Sequence, residues 1–139
     1  MSQTARRALV TGGSGGIGAA ICRRLAQDGH HVYVHARQDV AAAERLVEEI
    51  ATGGGSAAAL HFDVTDAAAT RQALESALAS GAIQILVNNA GIHDDAVLPG
   101  MRQEQWHRVI DVSVNGFLNV TQGSLRLLAS TNAPPTTSK

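Results

Sequence analysis

Short apolar runs alternate with stretches whose apolar residues recur at helical spacing, from residue 8 to about residue 128. Ala8-Leu9-Val10 is the first run and enters a glycine-rich turn, after which Ile17, Ala20, Ile21 and Leu25 share one helical face. Gly29 closes that helix, and His31 to Ala36 reads as a second strand. Asp39 caps a second helix with an apolar stripe of Val40, Ala43, Leu46, Val47 and Ile50, stopped by Gly53-Gly54-Gly55. Ala58 to Phe62 is a third, weaker strand ending at Asp63-Val64. Asp66 caps a helix carrying Leu74, Ala77 and Leu78 that Gly81 closes. Ile83 to Val87 is a fourth strand, running into Asn88-Asn89-Ala90-Gly91. A loop through Pro99-Gly100 then leads to one long helix from about Gln103 to Leu128.

Strands alternating with helices across short turns predict parallel βαβ units: an α/β fold with a doubly wound, Rossmann-type sheet. Right-handed crossovers give the strand order 3-2-1-4 and gather ligand groups at the carboxyl ends. Four segments lie at such ends: the glycine turn, Ala36-Arg37, Asp63-Val64 and Asn88 to Gly91. The pattern therefore predicts one domain over residues 1–129 with one crevice. Residues 130–139 carry two prolines and no periodicity, and are expected to be a disordered tail.

Composition narrows the classes. Apolar content of 45% with 17% charged residues suits a chain with a packed core, and one Trp, one Tyr and two Phe make that core aliphatic. A net charge of −1 leaves no electrostatic footprint for nucleic acid or an anionic membrane. The single cysteine, Cys22, excludes an internal disulfide framework and reads as a small buried side chain. The six histidines have no metal-ligand spacing, so no metal site is expected. Arg6-Arg7 precede an apolar run that glycines break at once, which is neither a signal peptide nor a membrane span; a cytoplasmic location is expected.

A strand, a glycine turn and a helix aim the free N–H groups of a helix N-terminus at a phosphate. Here the spacing is Gly12-xxx-Gly16-x-Gly18. It is neither the general GxGxxG fingerprint nor a P-loop, which would close on Lys-Ser or Lys-Thr. With Thr11 it resembles the TGxxxGIG motif of the short-chain dehydrogenase/reductase family, and the likeness is to bacterial 3-oxoacyl-acyl-carrier-protein reductases. It extends through Phe62-Asp63-Val64, Asn88-Asn89-Ala90-Gly91-Ile92, Trp106, Val109 to Val112, and Gly116 to Gln122, over about residues 6 to 128. The resemblance implies a nicotinamide cofactor. Its pyrophosphate would lie along Gly12, Gly13, Ser14, Gly15, Gly16, Ile17 and Gly18, with Asp63 and the Val64 backbone at the adenine. Asn89, Ala90 and Gly91 would follow the riboses, while Asn88 ties neighbouring strands. An acid ending the second strand would select NAD by its bond to the ribose 2′-OH. That strand ends instead on Ala36-Arg37, and Arg37 can pair with a 2′-phosphate, so NADP(H) is favoured over NAD.

The resemblance fails at catalysis. The family's tyrosine acid needs a nearby lysine, because a phenol near pKa ~10 is a poor acid–base group at neutral pH. The only tyrosine is Tyr33, position 37 after it is Arg37, and the only lysine is Lys139. The family's supporting asparagine falls on Ser113; Asn115, two residues on, would point ~200° away at ~100° per residue. No catalytic residue is therefore assigned. The family's later strands and its Tyr–Lys helix would follow the point where 131–139 takes over. Strand four would be an open edge, and the helix over 103–128 would have uncovered apolar surface, which in the family helps form a homo-oligomer interface. The resulting expectation is the cofactor-binding part of an NADPH-dependent reductase, truncated before Ser and YxxxK, with an acyl thioester as substrate only in the complete protein. The alternatives are a non-catalytic NADP-binding module docking on a complete reductase and a prematurely ended product.

Overall fold

The computed structural model describes residues 5–92 and 97–131, with residues 126–131 as backbone alone. The apolar runs form strands β1 (Arg7–Val10), β2 (His31–Ala36), β3 (Ser56–His61) and β4 (Ile85–Val87), all parallel and in the order β3-β2-β1-β4. The expected architecture and strand order hold. Central strands of a sheet covered on both faces must be apolar throughout: Ala8, Leu9, Val10, Val32 and Val34 are fully buried. The edge strands differ from the runs read in the sequence. β3 starts at Ser56 because its pairing with β2 covers all of His31–Ala36, and β4 is only the three residues paired with Ala8–Val10.

Alternate residues of the strands feed two core layers. Val10, Val32 and Val34 pack with Cys22, Leu46 and Ile50 beneath helices α1 (Gly16–Gln27) and α2 (Val40–Thr52). On the opposite face Leu9, Tyr33 and Phe62 pack with Leu74, Ala77, Val112 and Val120, contributed by α3 (Ala67–Leu78) and by the helical segment from Gln103 onward. Asp39 and Asp66 cap α2 and α3 as expected, accepting from the amides of Ala42 and Ala69 at 3.0 Å. Arg7 closes the opposite end of the sheet. Its guanidinium donates to the carbonyls of Ser80 (2.9 Å) and Ala77 (3.3 Å), at the C-terminus of α3 where a cation is favoured.

The long helix is not continuous. It divides into α4 (Gln103–Ile110), a π turn (Asp111–Gly116) and α5 (Phe117–Thr131), after a 3-10 turn at Leu98–Gly100. Packing against Val64 explains the break. A Cβ at Gly116 would lie 2.6 Å from Val64 Cγ2, and Asn119 Nδ2 donates to the Val64 carbonyl at 2.8 Å. Val112, Gly116, Val120 and Ser124 are all buried on one line. In a plain α-helix residues four apart drift by about 40°, and the wider turn offsets part of that drift. α5 also runs through Thr131, past the expected boundary at 129; residues 132–139 lie outside the described residues.

The same segment leaves apolar side chains in solvent: Val114, Phe117 and Leu118 are each about half exposed. β4 pairs with β1 alone and is an edge of the four-stranded sheet. Both features agree with the sequence pattern. Leu74 is fully buried and lies where a Cβ on Gly123 would touch it, at 2.9 Å. Urea unfolding followed by circular dichroism is expected to show Leu74→Ala losing about 2–5 kcal/mol. Leu125→Ala, at a position 62% exposed, should stay within about 0.5 kcal/mol of the parent.

Candidate functional site

The carboxyl ends of the four strands are tied together through the backbone of one residue, Gly12. On the β4 side, buried Thr11 accepts through Oγ1 from the amides of Asn89 (3.0 Å) and Ala90 (2.9 Å). Asn89 Nδ2 then donates to the Gly12 carbonyl at 3.2 Å. On the β2 side, His35 Nδ1 accepts from the Gly12 amide at 2.9 Å, and the His35 carbonyl accepts from the Gly13 amide at 2.9 Å. His35 Nε2 meets the Phe62 carbonyl at 2.7 Å, which brings in the end of β3. The strand tie expected of Asn88 is thus made by its neighbour Asn89 together with Thr11. Asn88 itself is exposed and donates to Thr121 Oγ1 on α5 at 3.0 Å, because the chain turns away from the sheet after Val87.

Above this junction lies a crevice of about 530 Å³. Gly12, Ser14, Gly15, Gly16, Ile17, Gly18, Arg37, Asp63, Val64, Asn89, Ala90 and Gly91 all line it, so the four expected segments converge. Gly13 is the exception. It is buried and faces the core: a Cβ there would lie 3.0 Å from Cys22 Sγ and 3.1 Å from Val34 Cγ1. Gly12 takes a positive φ of 62°, the left-handed conformation that favours glycine. A Cβ on Gly18 would collide with the Gly12 carbonyl oxygen, so the helix can approach the turn only with glycine there. Nothing lies within 4 Å of a Cβ built on Gly16. α1 has Gly15 at its N-cap and no side-chain cap, unlike α2 and α3. Its first-turn amides lack intrahelical acceptors and open on the crevice, a setting for an anion.

Arg37 and Asp63, expected to act on different parts of a ligand, face each other, with Arg37 Nε 3.2 Å from Asp63 Oδ2. The other carboxylate oxygen accepts from the Thr65 amide (2.9 Å) and hydroxyl (2.7 Å). Burial works to raise the Asp63 pKa, but the Thr65 bonds and the Arg37 charge outweigh it and hold the carboxyl below its ordinary value. Asp63 is therefore an anion that enters the crevice already partnered.

Of the residues weighed for catalysis, Tyr33 and Asn115 do not line the crevice. Tyr33 is buried and its hydroxyl donates to the Ala77 carbonyl at 3.3 Å. Lys139 lies outside the described residues. Ser113 sits at a small cavity of about 50 Å³ beside Thr11, Asn88 and Gly116. Asn115 Nδ2 instead donates to Asp111 Oδ1 at 2.8 Å, so it does not stand in for Ser113. Burial pushes the Cys22 thiol up to about 11, against the opposing pull of Arg23, which leaves it an inert packing group. Among the described residues there is no cluster of three or more metal-ligating side chains and no helix long and apolar enough to cross a membrane.

Sequence reasoning passed over His35, Thr65 and the clamp made by Thr11. For His35 a signal was present: it is a polar residue on the buried strand β2, and such a group needs partners.

Comparison with known proteins agrees with this geometry. The model of the short chain dehydrogenase family matches residues 6–133. An uncharacterized oxidoreductase of Methylorubrum extorquens is 40% identical over 122 residues, which are 87% of this chain and 49% of that protein. The 3-oxoacyl-[acyl-carrier-protein] reductase FabG of Staphylococcus aureus is 37% identical over 118 residues, 84% of this chain and 48% of that protein. Among solved structures, a gluconate 5-dehydrogenase from Burkholderia cenocepacia in complex with NADP and tartrate superposes with a TM-score of 0.85 at 35% identity. That match covers 94% of this chain and 51% of the other. The chain spans about half the length of the curated relatives it matches. With the glycine turn, the strand order and the converging strand ends all in register, the chain belongs to the short-chain dehydrogenase family of oxidoreductases.

Proposed function

We propose that the crevice binds a nicotinamide adenine dinucleotide, with NADP(H) preferred over NAD(H). We further infer that the chain is the cofactor-binding part of a reductase acting on 3-oxoacyl thioesters. One observation carries the first reading: the uncapped N-terminus of α1 opens on a crevice whose far wall holds a carboxylate and a guanidinium. The residues fit the group. The first-turn amides and Ser14 suit the pyrophosphate, and the Asp63 carboxylate suits an amino group of adenine. The Burkholderia relative was solved with NADP, which supports the same reading here. When bound, the nicotinamide supplies or accepts a hydride.

The Arg37–Asp63 pair gives cofactor choice a physical form. Both partners are partly exposed, and an exposed ion pair contributes only about 0–1 kcal/mol. A 2′-phosphate offers Arg37 a more highly charged acceptor, and Arg37 turning to it leaves Asp63 Oδ2 free to accept from adenine. A ligand without that phosphate competes with Arg37 for the same carboxylate oxygen. The thioester substrate class rests on the FabG relatives. Tyr33 is held away from the crevice in the core, which supports a chain that binds cofactor without turning over substrate.

In a thermal-unfolding titration, NADPH is expected to raise the transition more than NADH at equal concentration. Arg37→Ala should remove most of that difference, with NADPH affinity falling by roughly 10-fold for one charge-assisted contact of about 1.5 kcal/mol. Equal shifts with both nucleotides in the parent chain would overturn the NADP preference, and no shift with either would overturn the site. Incubated with NADPH and a 3-oxoacyl thioester, the pure chain should consume no NADPH at 340 nm; turnover free of host reductase would contradict the non-catalytic reading.

A further inference from the structure

We propose that His35 is a positioning residue for the cofactor crevice. Its neutral imidazole holds the glycine turn to the end of β3, and nucleotide affinity falls when that ring takes up a proton. The inference rests on the crevice being the nucleotide site, as proposed above.

The tautomer follows from the partners. The Gly12 amide can only donate, so Nδ1 must be unprotonated; Nε2 then carries the hydrogen and donates to the Phe62 carbonyl. Both bonds end on backbone that shapes the crevice. Gly12 holds the positive-φ turn that starts the loop, and Phe62 directly precedes Asp63. The ring is 2% exposed and lies against Phe62 with centroids 4.2 Å apart, so water is poorly placed to replace the buried Nε2 bond, while the Nδ1 bond to Gly12 is part-buried at the crevice wall. A second proton on Nδ1 would set two donors against each other and leave the part-buried Gly12 amide without its acceptor. The turn would then have to move, and with it the Gly12 carbonyl that Asn89 holds.

The charges around the ring act in both directions. Burial, the largest influence, pushes the His35 pKa below the ordinary histidine value, and the Phe62 carbonyl opposes it. His61 on β3 disfavours the proton and Asp63 favours it. Asp63 is in turn paired with Arg37 beyond the end of β2. The glycine turn, residues 12–18, contributes peptide groups and no ionisable side chain. The sign is therefore set. A folded pKa lowered below the unfolded one makes this contribution complete above the ordinary histidine range, near 6.5. It declines as the pH falls toward the lowered pKa.

The test measures NADP+ affinity by calorimetry from pH 8 down through the His35 titration, followed by nitrogen NMR of the ring, for the full chain and for His35→Gln, with circular dichroism at each pH. The glutamine offers a donor and an acceptor that do not titrate. The expected result is weakening in the parent chain by about tenfold per pH unit below the His35 pKa, because only the neutral form is competent, and a shallower profile in His35→Gln. Titration of the cofactor's own 2′-phosphate is common to both profiles and drops out of the comparison. Parallel profiles would overturn the inference while leaving the crevice reading intact; no NADP+ binding by the parent at pH 8 would overturn the crevice reading itself. Nitrogen NMR of the ring supplies an arm that needs no ligand. A hydrogen on Nε2 at pH 8 is expected, and a hydrogen on Nδ1 would overturn the inference.

Discussion

The backbone of Gly12 is the point on which the rest of the structure depends. Its amide is held by His35 and its carbonyl by Asn89, so the backbone of one residue fixes the carboxyl ends of all four strands relative to one another. The reason is steric as well as polar. α1 must approach the turn so closely that a single methyl group at Gly18 would strike the Gly12 carbonyl. A turn that close to a helix N-terminus cannot drift without closing the crevice. Part-buried hydrogen bonds on either side of Gly12 keep it open at little entropic cost, since their partners lie on β2 and just past the end of β4.

This arrangement draws the crevice from the ends of all four strands. The first-turn amides of α1, the Arg37 guanidinium and the Asp63 carboxylate come from the ends of the first three strands. They are held by contacts among those strand ends. Among the described residues lining the crevice there is no tyrosine or lysine, and the one tyrosine donates to the Ala77 carbonyl in the core. Val114, Phe117 and Leu118 are exposed on the last helical segment, and β4 is a sheet edge. A crevice lined from the ends of all four strands is therefore present in a chain about half the length of the curated relatives it matches.

The fold was legible because periodicity reports burial. Alternating strand and helix patterns gave the strand order, and Asp39, Asp66 and the glycines marked the helix ends. The crevice was legible because its parts sit at strand ends, where position follows from topology alone. What was not legible depends on contacts between distant residues. The bonds from His35 join residues separated by 23 and 27 positions, and that from Asn89 to Gly12 spans 77. No local spacing encodes them, so the strand tie was placed on Asn88 rather than Asn89. The π turn likewise arises from Gly116 meeting Val64, a tertiary contact that overrides helical pattern. Gly13 was misread for a simpler reason: within a glycine motif, residues facing the ligand and the core look alike.

The central claim is that this chain alone carries an organised dinucleotide crevice at the N-terminus of α1. The most direct measurement is a nitrogen–proton NMR titration of the labelled chain with NADP+ at pH 8. Saturable shifts are predicted for the amides of Gly15 to Gly18, Arg37, Asp63, Val64, Ala90 and Gly91, while the exposed face at Val114 and Leu118 stays still. Shifts confined to that apolar face, or no saturation at millimolar nucleotide, would contradict the account.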